Sequence, residues 1–163
     1  MKTVVVFGGS GFLGIEIAKV LASHGYKTRI AVRNIENPSL KSLKKLSDKF
    51  EFIYADIRDE TSVALAMKGC QSVINTVGLY LQTKSETFEA VHELGALNIG
   101  NISQKLGVKR LILISGIGTD LYSNSPYVRA RAKGELLTRD VFPGATILRP
   151  SAIFGIDDKL VNS

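Results

Sequence analysis

The 163-residue chain is long enough for one domain with a buried core. Its composition, 45% hydrophobic and 22% charged, is that of a folded globular unit and excludes the profile of a disordered segment. A net charge of +6 draws anions, so a phosphate-rich cofactor, nucleic acid and acidic lipid are the partner classes it brings forward. Strand one is expected at Thr3–Phe7, a continuous β-branched run of the kind that a parallel strand buried on both faces needs. That run follows Lys2 but stops at Gly8, too short for a signal-peptide core, so folding is expected to begin at the N-terminus with no leader. Over 12–24, Ile15, Ile17, Ala18, Leu21 and Ala22 recur at helical spacing, and Gly25 stands where a glycine ends a helix. A second strand follows at Lys27–Val32. Leu40, Leu43 and Leu46 then mark a short amphipathic helix with Lys41, Lys44 and Lys45 on its other faces.

The alternation continues to the end. A strand is expected at 51–54, a helix at Glu60–Met67, a strand at Ser72–Asn75 and a long helix over 85–106. Arg110–Ile114 reads as a strand, 127–140 as a helix and 145–148 as a last strand. Six strands with five intervening helical segments predict an α/β fold: a doubly wound parallel sheet of Rossmann type in three α/β/α layers. No apolar run reaches the roughly 20 residues a bilayer-spanning helix needs. The sole cysteine, Cys70, excludes an intrachain disulfide and fits a reducing, cytoplasmic setting.

Between the first strand and first helix stands Gly8-Gly9-Ser10-Gly11-Phe12-Leu13-Gly14. Each glycine has a physical task in a dinucleotide site. Gly8 permits the tight turn, Gly11 lets a pyrophosphate approach the backbone, and Gly14 lets the helix pack close. The amides that open the helix would then face the phosphates, with the helix dipole favouring negative charge. A purely structural glycine turn is the competing reading. The second strand ends Ala31-Val32-Arg33-Asn34, without the acid that would accept from an NAD ribose. Arg33 can instead pair with a 2′-phosphate, which would favour NADP(H) over NAD(H) by up to about a hundredfold. It can equally be a solvated strand-end arginine, and Glu36 can serve NADH if its loop folds back.

These motifs, with Ala55-Asp56-Ile57-Arg58-Asp59 and Asn75-Thr76-Val77-Gly78, resemble the short-chain dehydrogenase/reductase superfamily. Thr87 to His92, Gly95 to Asn98, Ser125-Pro126-Tyr127, Gly134-Glu135, 145–151 and Phe154-Gly155 narrow this to one branch. They resemble the atypical, NmrA-like members related to the NADPH-binding accessory subunit of respiratory complex I. The resemblance implies that Ser10, Phe12 and Leu13 share the phosphate loop with its glycines and that Asp56 and Ile57 meet the adenine. It places Thr76, Val77 and Gly78 under the ribose, and Pro150 and Ser151 near the nicotinamide. Packing at loops and strand ends is the plainer reading of each.

Active members of the superfamily carry Tyr-x-x-x-Lys on a helix. A free phenol ionises near pH 10, so acting at neutral pH requires about 4 kcal/mol of preferential phenolate stabilisation. Here Tyr127 is followed one turn later by Arg131, on the same face but with a planar fork in place of an ammonium. The pair can stabilise a phenolate or simply clamp the cofactor ribose; Lys133 should point elsewhere. Ser115 is the candidate hydroxyl partner, with Thr119 as a substitute, because Gly116-Ile117-Gly118 offers none. No metal site is expected, since His24 and His92 lack partners at ligand spacing. Asp157-Asp158 reads as an exposed loop and the stretch from Lys41 to Lys45 as a solvated face. Scattered basic residues without an aromatic array argue against nucleic acid.

Relatives of this kind continue into a C-terminal part that shapes the substrate pocket, so residues 1–163 are expected to be the NAD(P)-binding Rossmann domain without it. A sheet cut there would leave apolar surface for a partner or a homodimer mate. Three readings follow. One is a cofactor-holding protein of the complex I accessory type, cytoplasmic and peripheral to the inner face of a membrane, with a respiratory-complex or membrane-associated partner. Another is an active reductase, dehydrogenase or epimerase on a small carbonyl or quinone-like substrate. The third is an interaction module whose basic surface matters most.

Overall fold

The computed structural model describes residues 2–46 and 48–155; the Asp157-Asp158 pair lies outside the described residues. Six strands form one sheet in the order β3-β2-β1-β4-β5-β6, every neighbouring pair parallel. They are β1 (Thr3–Phe7), β2 (Lys27–Val32), β3 (Phe50–Tyr54), β4 (Ser72–Asn75), β5 (Arg110–Ile114) and β6 (Thr146–Leu148). The helices are α1 (Phe12–Ser23), α2 (Lys41–Leu46, entered through a 3-10 turn at Pro38–Leu40), α3 (Glu60–Met67), α4 (Gly95–Lys105) and α5 (Pro126–Val141). This is the expected doubly wound Rossmann arrangement. Its strand order reverses between β1 and β4, which is where such a sheet leaves a crevice beyond its carboxyl ends.

Two apolar layers hold the sheet. On one side Val5, Phe7, Val73 and Leu111 pack with Val63 and Met67 of α3 and with Ile99 of α4. On the other, Ile30 and Val32 pack with Ala18 of α1 and with Leu40 and Leu43 at α2. β1 fits the middle because its Val4–Phe7 side chains are buried, whichever face they point to. β6 lies at an edge, and Leu148 with the following Ile153 and Phe154 is exposed.

Three departures from the sequence reading have identifiable causes. The helix expected over 85–106 starts later, and residues Glu89–Leu94 wind as a π-helix before α4. Polar side chains organise the stretch before it: Glu86 N–H donates to Thr83 Oγ1 at 3.1 Å and Phe88 N–H to Gln82 Oε1 at 2.8 Å. Wide turns of this kind often accommodate a functional side chain, and here the turn carries His92. α5 crosses so close that a Cβ on Gly134 would overlap the His92 carbonyl oxygen. The 3-10 turn before α2 is set by Asn37, whose side chain accepts from Ser39 N–H. β3 begins one residue earlier than expected, because Phe50 pairs with Thr28.

Candidate functional site

A cleft of about 790 Å³ opens at the carboxyl ends of the strands, within the range of small-molecule sites. All the residues singled out for a cofactor line it: the turn 8–14 apart from Gly9, then Arg33, Asp56, Ile57, Thr76, Val77, Gly78, Tyr127, Arg131, Pro150 and Ser151. Ser115 lines it as well. Residues from the ends of all six strands and from α5 are therefore brought to one site by the parallel sheet.

The turn after β1 is built by its glycines. Gly8 has φ +75°, a conformation an L side chain rarely adopts, and a Cβ there would lie 2.7 Å from Thr76 Oγ1. A Cβ on Gly14 would overlap the Gly8 carbonyl oxygen and stand 2.8 Å from Gly9 Cα. Gly11 differs: among the described residues the one near neighbour of a Cβ there would be the Gly8 carbonyl at 3.3 Å, and Gly11 lines the cleft. The Gly11 N–H is spent within the turn, donating to Gly8 O at 2.9 Å. Past it, α1 starts without a side-chain cap, and Phe12, Leu13 and Gly14 line the cleft. The amides of a first helical turn have no acceptor within their own helix. A diphosphate fits this cradle, since such amides and the helix dipole both favour an anion.

The end of the cleft beyond β2 and β3 holds charges in pairs. Arg58 grips the Asp56 carboxylate through Nε at 2.9 and 3.1 Å and through Nη2 at 2.5 Å. The Arg58 hydrogen bond, opposed by partial burial, holds the Asp56 carboxyl below its ordinary value. Arg33 lines the cleft at the end of β2, where it is ion-paired with Glu86. The sequence reading looked to Glu36 as the nearby acid. Glu36 is instead 78% exposed and paired with Lys44 at 3.1 Å, away from the cleft lining. Glu86 was missed, and so was Arg58 as a cleft-lining residue; no local spacing links either to Arg33.

At the β5–β6 end, Arg131 Nη1 donates to the Tyr127 hydroxyl, and its guanidinium carbon lies 5.3 Å from the Tyr127 ring centre. A Cβ at Gly116 would be 3.1 Å from Arg131 Nη2. The Arg131 guanidinium therefore lies directly over Gly116, where a side chain would have to push it aside. Three rings box Tyr127: Tyr80 at 5.7 Å, Phe88 at 5.5 Å and His92 at 5.5 Å between centres. His92 is buried, with Nε2 at 3.2 Å from the Leu79 amide and 2.9 Å from its carbonyl. Burial first of all, with the Arg131 charge adding to it, pushes the His92 pKa below 6.5 against the Leu79 bond. Lys133 faces away and pairs with Glu93 at 2.6 Å.

Ser115 is buried at the floor, and its hydroxyl stands 3.5 Å from Thr119 Oγ1. Behind them lies Glu135, gripped by Arg149 through Nε at 3.1 Å and Nη2 at 2.6 Å. Burial pushes the Glu135 pKa up, but the Arg149 hydrogen bonds and charge, helped by the neighbouring Ser115 and Thr119 hydroxyls, outweigh it and hold the group below 4.5. The Thr119 hydroxyl donates to the Gly116 carbonyl, and Arg149 is the group that holds the Glu135 carboxylate. Pro150 carbonyl accepts from Ile117 N–H at 2.9 Å, while Ser151 is exposed at the rim. Of the remaining candidates, His24 Nδ1 lies 2.8 Å from the Val20 carbonyl at the end of α1, and Lys44 packs over Phe52.

The model of the NmrA-like family matches residues 1–120. The chain belongs to the NmrA-like family. Within that family's reach, it is 34% identical over 162 residues to the mitochondrial NADH-ubiquinone oxidoreductase 40 kDa subunit of Neurospora crassa, covering 98% of this chain and 43% of that protein. It is 34% identical to the mitochondrial NADH dehydrogenase [ubiquinone] 1 alpha subcomplex subunit 9 of Mus musculus, over 96% of this chain and 42% of that protein. A ceramide reductase of Caulobacter vibrioides is 30% identical over 95% of this chain and 47% of its own length. This NmrA-like chain spans less than half the length of each of these relatives. Among solved structures, the Bordetella bronchiseptica enzyme WbmH in complex with NAD+ superposes with a TM-score of 0.79 at 18% identity, covering 98% of this chain and 58% of that one. The UDP-glucuronic acid 4-epimerase of Bacillus cereus in complex with NAD gives 0.76 at 19%, covering 94% and 58%. At such identities the likeness is one of fold, and the fold is that of the NmrA-like chain's own six-stranded sheet. Among the described residues no helix is long and apolar enough to cross a membrane.

Proposed function

We propose that this NmrA-like chain binds a nicotinamide dinucleotide along the cleft, NADPH in preference to NADH, and holds it mainly for structure or redox sensing. One observation carries the reading: α1 opens without a side-chain cap onto a cleft beside a turn in which Gly8 and Gly14 leave no room for a Cβ. Main-chain donors, not side chains, then supply the phosphate site. Arg33, at the end of β2 where no acid stands, is the residue that recognises a 2′-phosphate. The relatives named as NADH-ubiquinone oxidoreductase subunits favour a respiratory complex as the partner, with the chain peripheral to a membrane. A homodimer is the other assembly to test.

A second reading is favoured by one contact, the Arg131 hydrogen bond to the Tyr127 hydroxyl inside the cleft. In that reading the chain belongs to a reductase, dehydrogenase or epimerase acting on a small carbonyl or quinone-like substrate. A bound nicotinamide supplies hydride transfer. Tyr127 would hold or release a proton at its hydroxyl, and Arg131 would favour the phenolate by direct donation.

Calorimetric titration with NADPH and NADH, with assay of nucleotide retained through purification, tests the first reading. Arg33→Ala should weaken NADPH by about 10- to 100-fold, the loss of a charge-assisted contact, and leave NADH within about twofold. Equal losses for both would remove Arg33 from its role. NADPH oxidation that depends on an added quinone or aldehyde and vanishes in Tyr127→Phe would instead establish the second reading.

A further inference from the structure

Arg33 and Glu86 reach each other from opposite walls of the cleft. Arg33 ends β2, and Glu86 belongs to the irregular segment that leaves β4 and leads into the π-helix. The Glu86 side chain is 21% exposed and that of Arg33 is 57% exposed, so the carboxylate is the more enclosed member of the pair. No helix or strand places Glu86 there. The segment is held by its own turn, with Thr83 N–H donating to Glu86 O at 2.9 Å, and by Arg58 Nη1 donating to Ser85 O at 2.7 Å. Both arginines of this end thus reach across the cleft to the same few residues.

We infer that Glu86 is a specificity-determining residue that acts as an internal surrogate for the 2′-phosphate, rating NADPH against NADH by competing for Arg33. The inference rests on the assignment of Arg33 to that phosphate. A carboxylate and a phosphate monoester both match the planar fork of a guanidinium. Glu86 holds Arg33 through Nη1, and a phosphate carrying about −1.5 to −2 charges repels a carboxylate kept against the same guanidinium. NADPH must therefore displace Glu86 from Arg33, and the segment that carries Glu86 moves with it. NADH brings a neutral 2′-hydroxyl and leaves the ion pair standing. The Glu86 carboxylate can then accept from that hydroxyl, the service that other sites obtain from an acid at the end of β2. Position 33 alone does not set the preference; the balance between Arg33 and Glu86 does.

The test is titration of the full chain and its variants with NADPH and with NADH. Glu86→Gln keeps the size of the side chain and removes the competing charge. NADPH should tighten about 2- to 5-fold, the worth of a partly exposed ion pair, and NADH should not tighten. In the Arg33→Ala background, where no competition for the guanidinium remains, the same substitution should tighten NADPH by less than it does in the chain that keeps Arg33. If Arg33→Ala does not shift the NADPH-to-NADH ratio, the assignment of Arg33 has failed. If it does shift the ratio, but Glu86→Gln tightens both nucleotides equally or neither, the surrogate role is overturned while Arg33 keeps its own. Amide exchange in the unmutated chain gives an independent readout. The amides of 79–88 should exchange faster in the NADPH complex than in the NADH complex, and equal or slower exchange overturns the displacement.

Discussion

At the β1 end of the cleft the working groups are main-chain amides, while at the β5–β6 end they are side chains gathered from separated parts of the chain. The first end is made by omission: Gly8, Gly11 and Gly14 lack a Cβ where one would collide or obstruct. The second is made by addition. Arg131 fills the space over Gly116, three rings surround Tyr127, and Glu135 is gripped by Arg149. An end made of backbone tolerates little change in shape but has no proton to lose. An end made of side chains can be retuned by single substitutions and by pH.

The largest effect should come from separating shape from access within the glycine turn. Gly14→Val puts atoms into the Gly8 carbonyl and close to Gly9 Cα, both main chain and unable to yield cheaply. A loss of about 2–4 kcal/mol is expected, with dinucleotide binding abolished. Gly11→Val meets only the Gly8 carbonyl at 3.3 Å and should stay folded. Its affinity for NADPH should nevertheless fall about a hundredfold or more, because the new side chain stands where the phosphates must approach. Urea unfolding and nucleotide titration on both variants check this. A Gly11→Val chain that binds normally would break the main-chain account of the first end.

Much of that first end could be read directly from sequence, because its information is local. A β-branched run, a glycine turn and a helix follow one another within a few residues, and each constrains its neighbour. The strands were legible for the same reason, as continuous apolar runs that a central parallel strand requires. The start of the fourth helical segment was not legible. Ser85, Glu86 and Thr87 look like a helix entrance, but the Thr87 hydroxyl accepts from Ala90 N–H at 3.0 Å and the regular turns begin only after it. Glu86 was invisible as a partner of Arg33, and Glu135 as a partner of Arg149, because parallel crossovers bring together residues that sequence spacing never links. Arg131 was read as a departure from a lysine, and its consequence for Gly116 appears only in three dimensions.

A middle-sized effect probes the second end. Glu135→Gln removes the charge that Arg149 grips. The Arg149 side chain is 49% exposed and can turn to water, which limits the loss. About 1–2 kcal/mol of stability should go, less than for an ion pair with both partners buried. Nucleotide affinity should change little if the network is structural. A stable Glu135→Gln chain with weakened NADPH binding would assign Glu135 to the cofactor and erase the division between floor and site.

The smallest effect is the pH dependence, and it should be confined to the side-chain end. Burial holds the folded His92 below 6.5, so the unfolded chain binds the extra proton first as pH falls. The stabilisation tied to neutral His92 is therefore complete above about pH 6.5 and is lost as pH drops towards the folded value, at no more than about 1.4 kcal/mol per pH unit. Glu135 has the same sign in a lower window, because its folded pKa is held below 4.5; its contribution is intact above that pH and fades beneath it. Protonation of His92 puts a charge into a buried place and brings a second positive charge towards Arg131, against which the Leu79 carbonyl, able to accept from the protonated ring, is only a partial offset. His92→Gln should flatten the fall in stability below pH 6.5 while leaving the Glu135 window in place, as urea unfolding at stepped pH would report. If the slope persists in His92→Gln, the proton is taken up elsewhere, and the packed ring around Tyr127 is no more pH-responsive than the glycine turn.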